Sequence, residues 1–133
     1  MKSVSNADLI KVAKKVAKRK IVSDCVKLGT VGCALLTDSG NVYVGVSIEA
    51  CCGIGFCAEH SAVASMITNR EYEIKKIVAV TDKGLVLPPC GRCRELLYQL
   101  NEKNLSTEIV LSKTKSTTLK KLLPDLWQKK RWP

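Results

Sequence analysis

The amino-acid sequence predicts an α/β protein, a three-layer α/β/α sandwich built around a mixed β-sheet. Three observations carry that expectation. Strand-like apolar runs alternate with segments whose apolar residues recur every three to four positions, the helical spacing. The first two strand-like runs are joined by DSGN (residues 38–41), a hairpin turn that makes them antiparallel. From residue 42 onward the order is strand, helix, strand, helix, strand, which implies crossover connections and parallel pairs within the same sheet.

In chain order, residues 6–21 place Leu9, Val12, Ala13, Val16 and Ala17 on one side of an amphipathic helix, with Ser5 suited to cap it. VGCALL (31–36) and VYVGVSI (42–48) are the hairpin strands. A loop of small residues runs from Ala50 to Phe56, and helical spacing resumes from about Ala58 to Thr68, with Ala58, Ala62, Ser65 and Met66 on one side. IVAVT (77–81) is nearly continuous in apolar character, as expected of a central strand covered on both faces. The loop DKGLVLPP follows, its two prolines suited to the entry of a helix from Cys90 to about Asn101, whose apolar side carries Leu96, Leu97 and Leu100. TEIVL (107–111) reads as a fourth strand and LKKLLPDLW (119–127) as a last short helix. With no repeat, low-complexity tract or linker, the 133 residues are expected to form a single domain, 1–133.

Composition excludes some functions. At 46% hydrophobic and 26% charged residues the chain is globular in character rather than disordered. No apolar run approaches the ~20 residues of a membrane span, and the lysine-bearing N-terminus has no uninterrupted apolar stretch. A cytoplasmic protein is the expectation. The net charge of +10 is concentrated in residues 11–20 and 113–131 and is read as a solubilising surface. One Phe, two Trp and three Tyr are too few for a broad base-stacking platform, so no nucleic-acid partner is expected.

Seven cysteines are many for a chain in a reducing compartment, and the odd number argues against a disulfide framework. Cys25, Cys33, Cys51 and Cys52 lack ligand-like spacing and are read as small buried hydrophobes. Cys57, Cys90 and Cys93 differ. Cys90-Gly91-Arg92-Cys93 is a C-x-x-C at a helix start, which puts both sulfurs on one face about one turn apart. Cys57 precedes the other helix. If the two helices begin at the same sheet edge, three sulfurs converge on one point. Soft sulfur donors select zinc, and three protein ligands leave the open fourth position of a catalytic site. The positive ends of both helices favour thiolates there. Glu59, two residues past Cys57, would then stand beside the metal without ligating it, placed to take and return a proton. This is the zinc deaminase signature, a ligand-x-Glu followed by Pro-Cys-x-x-Cys, here Cys57-Ala58-Glu59 and Pro89-Cys90-Gly91-Arg92-Cys93.

On these motifs, together with VGCALLTDSGNVYVGVSIE, PCGRCRELL and LLPDLW, the chain resembles the small cytidine deaminases and the related blasticidin S deaminases over nearly its whole length. The resemblance implies one zinc ion per subunit on Cys57, Cys90 and Cys93, Glu59 as proton carrier, a homotetramer, and hydrolytic release of ammonia from a cytosine nucleoside, as in pyrimidine salvage. It implies substrate contacts at Ser47, Glu49, Ala58 and Trp127, the last in the position of an aromatic that closes a neighbouring subunit's pocket. A core or interface anchor is the alternative for Trp127, and Trp132 is read as a tail residue.

The sequence departs from the usual nucleoside pattern in three places. Ser47 stands where the N-x-E substrate segment has its Asn, Val26-Lys27-Leu28-Gly29 replaces an aromatic-bearing stretch, and ACCGIGF (50–56) is a residue shorter than its counterpart. All three changes concern substrate recognition. The blasticidin S deaminases also differ in these segments, but a +10 chain with a basic C-terminus is a poor host for a cationic ligand, with Asp125 and Glu49 as local negative charge. A cytidine/deoxycytidine-type deaminase is therefore ranked ahead of a blasticidin S-type deaminase, with a polynucleotide base editor and a non-catalytic zinc protein behind. Three thiolates would leave the zinc centre at −1, a poor Lewis acid, so His60, Arg92 or Arg94 is expected to donate to a zinc thiolate. The alternative for His60 is a surface or core-edge position.

Overall fold

Helix α1 (Asn6–Val16) starts where its cap dictates. The Ser5 hydroxyl accepts from the Asp8 amide at 3.1 Å while the Asp8 carboxylate accepts from the Ser5 amide at 3.2 Å, a reciprocal capping box. The helix ends earlier than its apolar spacing predicts, because Lys20–Ile21 leaves it to pair as a short strand, β1, with Leu28 and Lys27. The remaining elements of the computed structural model, which describes residues 3–127, are β2 (Val26–Thr37), β3 (Val42–Ala50), α2 (Ala58–Thr68), β4 (Ile74–Thr81), β5 (Val86–Leu87), α3 (Gly91–Leu100), β6 (Glu108–Val110), β7 (Ser116–Thr118) and α4 (Leu119–Leu122). Trp132 and the last basic residues lie outside the described residues.

The sheet runs β3-β2-β4-β6-β7, with β1 continuing along the β2 edge that β4 occupies further on, and β5 along the β4 edge shared with β6. One expectation needs correction. The crossover from β3 through α2 does not return beside β3. It places β4 against β2, antiparallel, in the register Val31↔Thr81 to Leu36↔Lys76. Among the described residues only β4 and β6 pair in parallel, at Lys76↔Glu108 and Ile77↔Ile109. The burial pattern gives the reason. From Gly32 to Thr37 every residue of β2 is buried, as in a central strand covered by helices on both faces, whereas β3 exposes Val42 and Val44 and suits an edge.

Successive residues along each strand alternate between the two faces as the pleat requires, and register partners share a face. Ala34, Val78, Val80 and Val110 face Leu9 and Ala13 of α1. Cys33, Leu35, Ile77 and Ile109 face Ala58, Ala62, Met66 and Leu97 of α2 and α3. Two glycines let the layers close. A Cβ on Gly32 would lie 2.4 Å from the Ala13 carbonyl oxygen, and one on Gly45 would lie 2.3 Å from the Ala62 amide nitrogen. These close approaches fix α1 on β2 and α2 on β3. The three-layer α/β/α sandwich with a mixed sheet is thus the architecture.

Asn104, 0% exposed, joins α3 to the start of β4. Its Oδ1 accepts from the Ile74 amide at 2.8 Å, and its Nδ2 donates to the carbonyls of Leu97 at 3.0 Å and Tyr72 at 3.2 Å. Replacing it by Ala strands three backbone groups, and stability should fall by about 3 kcal/mol, since each orphaned buried group costs roughly 1–3 kcal/mol. A urea midpoint shift at unchanged slope is the expected readout.

Candidate metal centre and substrate cleft

Cysteine occupies the capping position of both α2 and α3. Cys57 (φ −71°, ψ 157°) and Cys90 (φ −69°, ψ 168°) are extended, and no serine-like side-chain cap closes either helix, although the Cys90 sulfur is hydrogen-bonded to the Cys93 backbone and thiol. Serine or aspartate there would spend its oxygen on the first turn; these sulfurs remain available. Cys93 follows one turn into α3 and is fully buried. The Cys57 and Cys90 sulfurs are 3.5 Å apart, those of Cys90 and Cys93 3.6 Å, and all three lie within 4.8 Å of one another. Zn–S bonds of about 2.3 Å in a tetrahedron require sulfurs about 3.8 Å apart. The three sulfurs fit that ion.

The approach to Cys57 is pinned by a small closed loop. Ile48 and Phe56 exchange backbone hydrogen bonds at 3.0 and 2.9 Å, so residues 49–55 leave and re-enter the end of β3. Phe56 also stacks on His60, with ring centroids 6.1 Å apart.

The three gathered thiols differ in how readily they ionise. Burial pushes the Cys93 thiol far above its ordinary value, with the Glu59 charge adding to it, and burial likewise raises Cys57. At Cys90 burial also acts upward, but hydrogen bonds from the Cys93 backbone and from the Cys57 and Cys93 thiols outweigh it and leave the group below its ordinary value. A dication reverses this balance by stabilising thiolates, so metal binding releases protons. Glu59, 5% exposed, is held above the usual carboxylate range chiefly by burial.

A cleft of about 360 Å³ opens over this centre. Cys57, Ala58, Glu59 and Cys90 lie at one side of it, and Val31, Phe56, Leu87 and Pro88 give it apolar walls. Such a cavity suits a flat, partly apolar ring.

The profile of the "Cytidine and deoxycytidylate deaminase zinc-binding region" matches residues 3–109. The chain belongs to this zinc-binding deaminase family. It is 33% identical over 103 residues to a probable cytidine deaminase of Dictyostelium discoideum, covering 73% of this chain and 67% of that protein. It is also 33% identical over 103 residues to the blasticidin-S deaminase of Bacillus cereus, covering 71% and 74%. The crystal structure of cytidine deaminase from Mycobacterium tuberculosis superposes with a TM-score of 0.78 at 28% identity, covering 95% of this chain and 99% of that one. In a zinc-binding deaminase domain, Cys57, Cys90 and Cys93 are the cysteines positioned to bind the metal ion.

The other residues singled out in this deaminase-family sequence fall in different places. The His60 Nδ1 lies 3.4 Å from the Cys93 sulfur, and burial, then the Arg92 charge, hold the imidazole below its ordinary value. Arg92 is exposed and lines the cleft. Arg94 is used elsewhere: its Nε donates to the Pro89 carbonyl at 2.8 Å and its Nη1 to the Leu122 carbonyl at 3.3 Å, tying α3 to α4. Ser47 is buried, and its hydroxyl accepts from the Val31 amide at 3.0 Å, beside the irregularity between Leu28 and Gly32 in β2. Glu49 is at the cleft mouth, its Oε2 2.9 Å from the Lys27 Nζ. Trp127, 51% exposed, is the last described residue and does not line this cleft.

Of the cysteines read as buried hydrophobes, only Cys33 is buried; Cys25, Cys51 and Cys52 are exposed. The closed loop carries Cys51 and Cys52 away from the core, with Cys52 in the left-handed region (φ 61°). Sequence reasoning missed the walls of the cleft. Phe56 had a signal, being the chain's one Phe directly before the Cys-Ala-Glu motif. Val31, Leu87 and Pro88 had none, since only the fold brings them together.

Replacing Cys93 by Ser should weaken zinc binding by more than about 100-fold in a chelator competition, because a core ligand matters more than its supporting partners, worth roughly 10–100-fold. Cys51→Ser should leave the zinc affinity unchanged.

Proposed function

We propose that this chain is a zinc-dependent aminohydrolase that converts the cytosine ring of cytidine- and deoxycytidine-type nucleosides to the uracil form and ammonia. The observation that carries the reading is the convergence of the Cys57, Cys90 and Cys93 sulfurs beside the buried carboxyl of Glu59 in an apolar-walled cleft. Zinc on these sulfurs would supply the Lewis acidity that makes water nucleophilic near neutral pH.

The protein's own groups do the rest. Glu59 takes a proton from the attacking water, passes it to N3 of the ring, and carries the next proton to the departing amine. Its raised pKa suits it to both directions of transfer. His60, neutral and with its proton on Nδ1, donates to the Cys93 sulfur and draws charge from an otherwise −1 centre. Phe56, Leu87 and Pro88 hold the ring and exclude water. Ala58, between ligand and acid, presents no side chain that would crowd the base. Arg92 supplies positive charge at the cleft instead of a hydrogen bond to sulfur.

The same reading takes the chain as one domain, cytoplasmic, serving pyrimidine salvage with one zinc ion per subunit. It also takes it as a homotetramer in which Trp127 closes a neighbour's cleft. The exposed Ile54, Val42 and Val44 and the half-exposed Trp127 support association, and sedimentation as a single chain would contradict it. Among the described residues no helix is long and apolar enough to cross a membrane. A blasticidin S-type activity is the second reading, favoured by the likeness to the Bacillus cereus enzyme.

Ammonia release from cytosine, cytidine, deoxycytidine and blasticidin S separates the readings. Cytidine and deoxycytidine should be turned over; turnover of blasticidin S alone reverses the order. Glu59→Gln should lower kcat at least about 10³-fold with zinc retained, within the usual range for loss of a proton-transfer group. Unchanged activity in that variant refutes the mechanism. His60→Ala should lower kcat and shift its pH profile, and an unaltered profile removes His60 from the account.

A further inference from the structure

Glu49 borders two cavities. One is the cleft that reaches Cys57 and Glu59; the other is an open neighbour of about 380 Å³ that Glu49 lines with Lys27, Arg19 and Asp24. Between them the carboxylate is already engaged. Lys27 and Glu49 are direct register partners in the β2–β3 ladder, and the ammonium lies 2.9 Å from Oε2. A pair between loops could separate freely, but these two backbones are held opposite each other by the strands. Both side chains are partly exposed, so the pair adds little to stability. Its consequence is for recognition.

The Lys27 ammonium, with the Thr30 hydroxyl as a second donor, orients the carboxylate, whose several lone pairs still leave room for a hydroxyl donor. It also cancels the charge a cationic ligand would seek. The remaining charged side chains are balanced: Arg19 faces Asp24 in the outer cavity, and in the cleft Arg92 lies at the mouth while Glu59 is buried beside the three sulfurs. The loss of the usual Asn makes the constraint sharper, because Ser47 has its hydroxyl oxygen committed to the Val31 amide.

We propose that Lys27 is a positioning residue that fixes Glu49 as a hydroxyl acceptor and sets the site's preference for neutral sugars over cationic ones. The proposal rests on the deaminase reading above. Lys27 does not reach the reacting ring; it acts through Glu49.

The test compares wild type, Lys27→Met and Lys27→Arg, each zinc-loaded, on cytidine, 2′,3′-dideoxycytidine and the cationic nucleoside blasticidin S. Lys27→Met should raise KM for cytidine about tenfold, the loss expected of one charge-assisted hydrogen bond, with kcat within about twofold. KM for dideoxycytidine should not move, because that sugar offers no ring hydroxyl to Glu49. Lys27→Arg should restore the cytidine KM, and Lys27→Met should raise relative turnover of blasticidin S over cytidine. An unchanged cytidine KM, an equal rise for dideoxycytidine, or a wild type that prefers blasticidin S overturns the role of Lys27. Should Lys27→Met lose its fold or zinc, Lys27→Gln takes its place under the same criteria. A wild type inert on all three compounds instead overturns the deaminase reading, and the proposal with it.

Discussion

Two helices must begin at the same place for this site to exist, and each must begin with a cysteine where an oxygen cap is usual. Helix N-termini carry unsatisfied amides and partial positive charge. Most proteins satisfy them with Ser, Thr, Asp or Asn, as Ser5 and Asp8 do at α1. At α2 and α3 the capping positions hold Cys57 and Cys90, whose sulfurs meet at 3.5 Å. The helix ends thereby act on sulfur charge as a whole. Everything else in the fold serves the meeting of those two ends: Gly45 seats α2 on β3, Asn104 ties α3 to β4, and Arg94 ties the start of α3 to α4.

The centre's second requirement is control of charge. Three thiolates on a dication make a net negative site, which weakens the polarisation that hydrolysis needs. The Cys93 sulfur has the His60 ring at 3.4 Å, and the Arg92 charge is near enough to depress that ring's protonation. The same logic extends to the cleft mouth, where Glu49 is met by Lys27 before any ligand arrives. Each acidic group near the site thus has a cationic or donor group close by, on a chain that carries +10.

Much of this was legible in the sequence because local rules governed it. The period of the apolar residues located α2 at its observed limits, and Ser5 marked the start of α1. The Cys-Ala-Glu and Pro-Cys-x-x-Cys strings identified the converging sulfurs, since a ligand set leaves its spacing in the chain. What local rules could not decide was strand order. Antiparallel β2–β4 pairing, and the burial of Gly32–Thr37 that goes with a central position, are properties of the assembled sheet. The early end of α1 follows from the pairing of Lys20 and Ile21 with β2, again a tertiary effect. Exposure of Cys51 and Cys52 depended on the Ile48–Phe56 bridge, whose partners flank the loop without any turn signal. The Lys27–Glu49 pair spans 22 residues of sequence and was set by register alone.

The claim on which the rest depends is that zinc is held by three sulfurs and no histidine, with one position open. X-ray absorption at the zinc edge of the purified protein measures this directly. The expected result is three sulfur scatterers at about 2.3 Å and one lighter atom at about 2.0 Å. A fit requiring four sulfurs, or an imidazole nitrogen from His60 bound to the metal, would contradict the account.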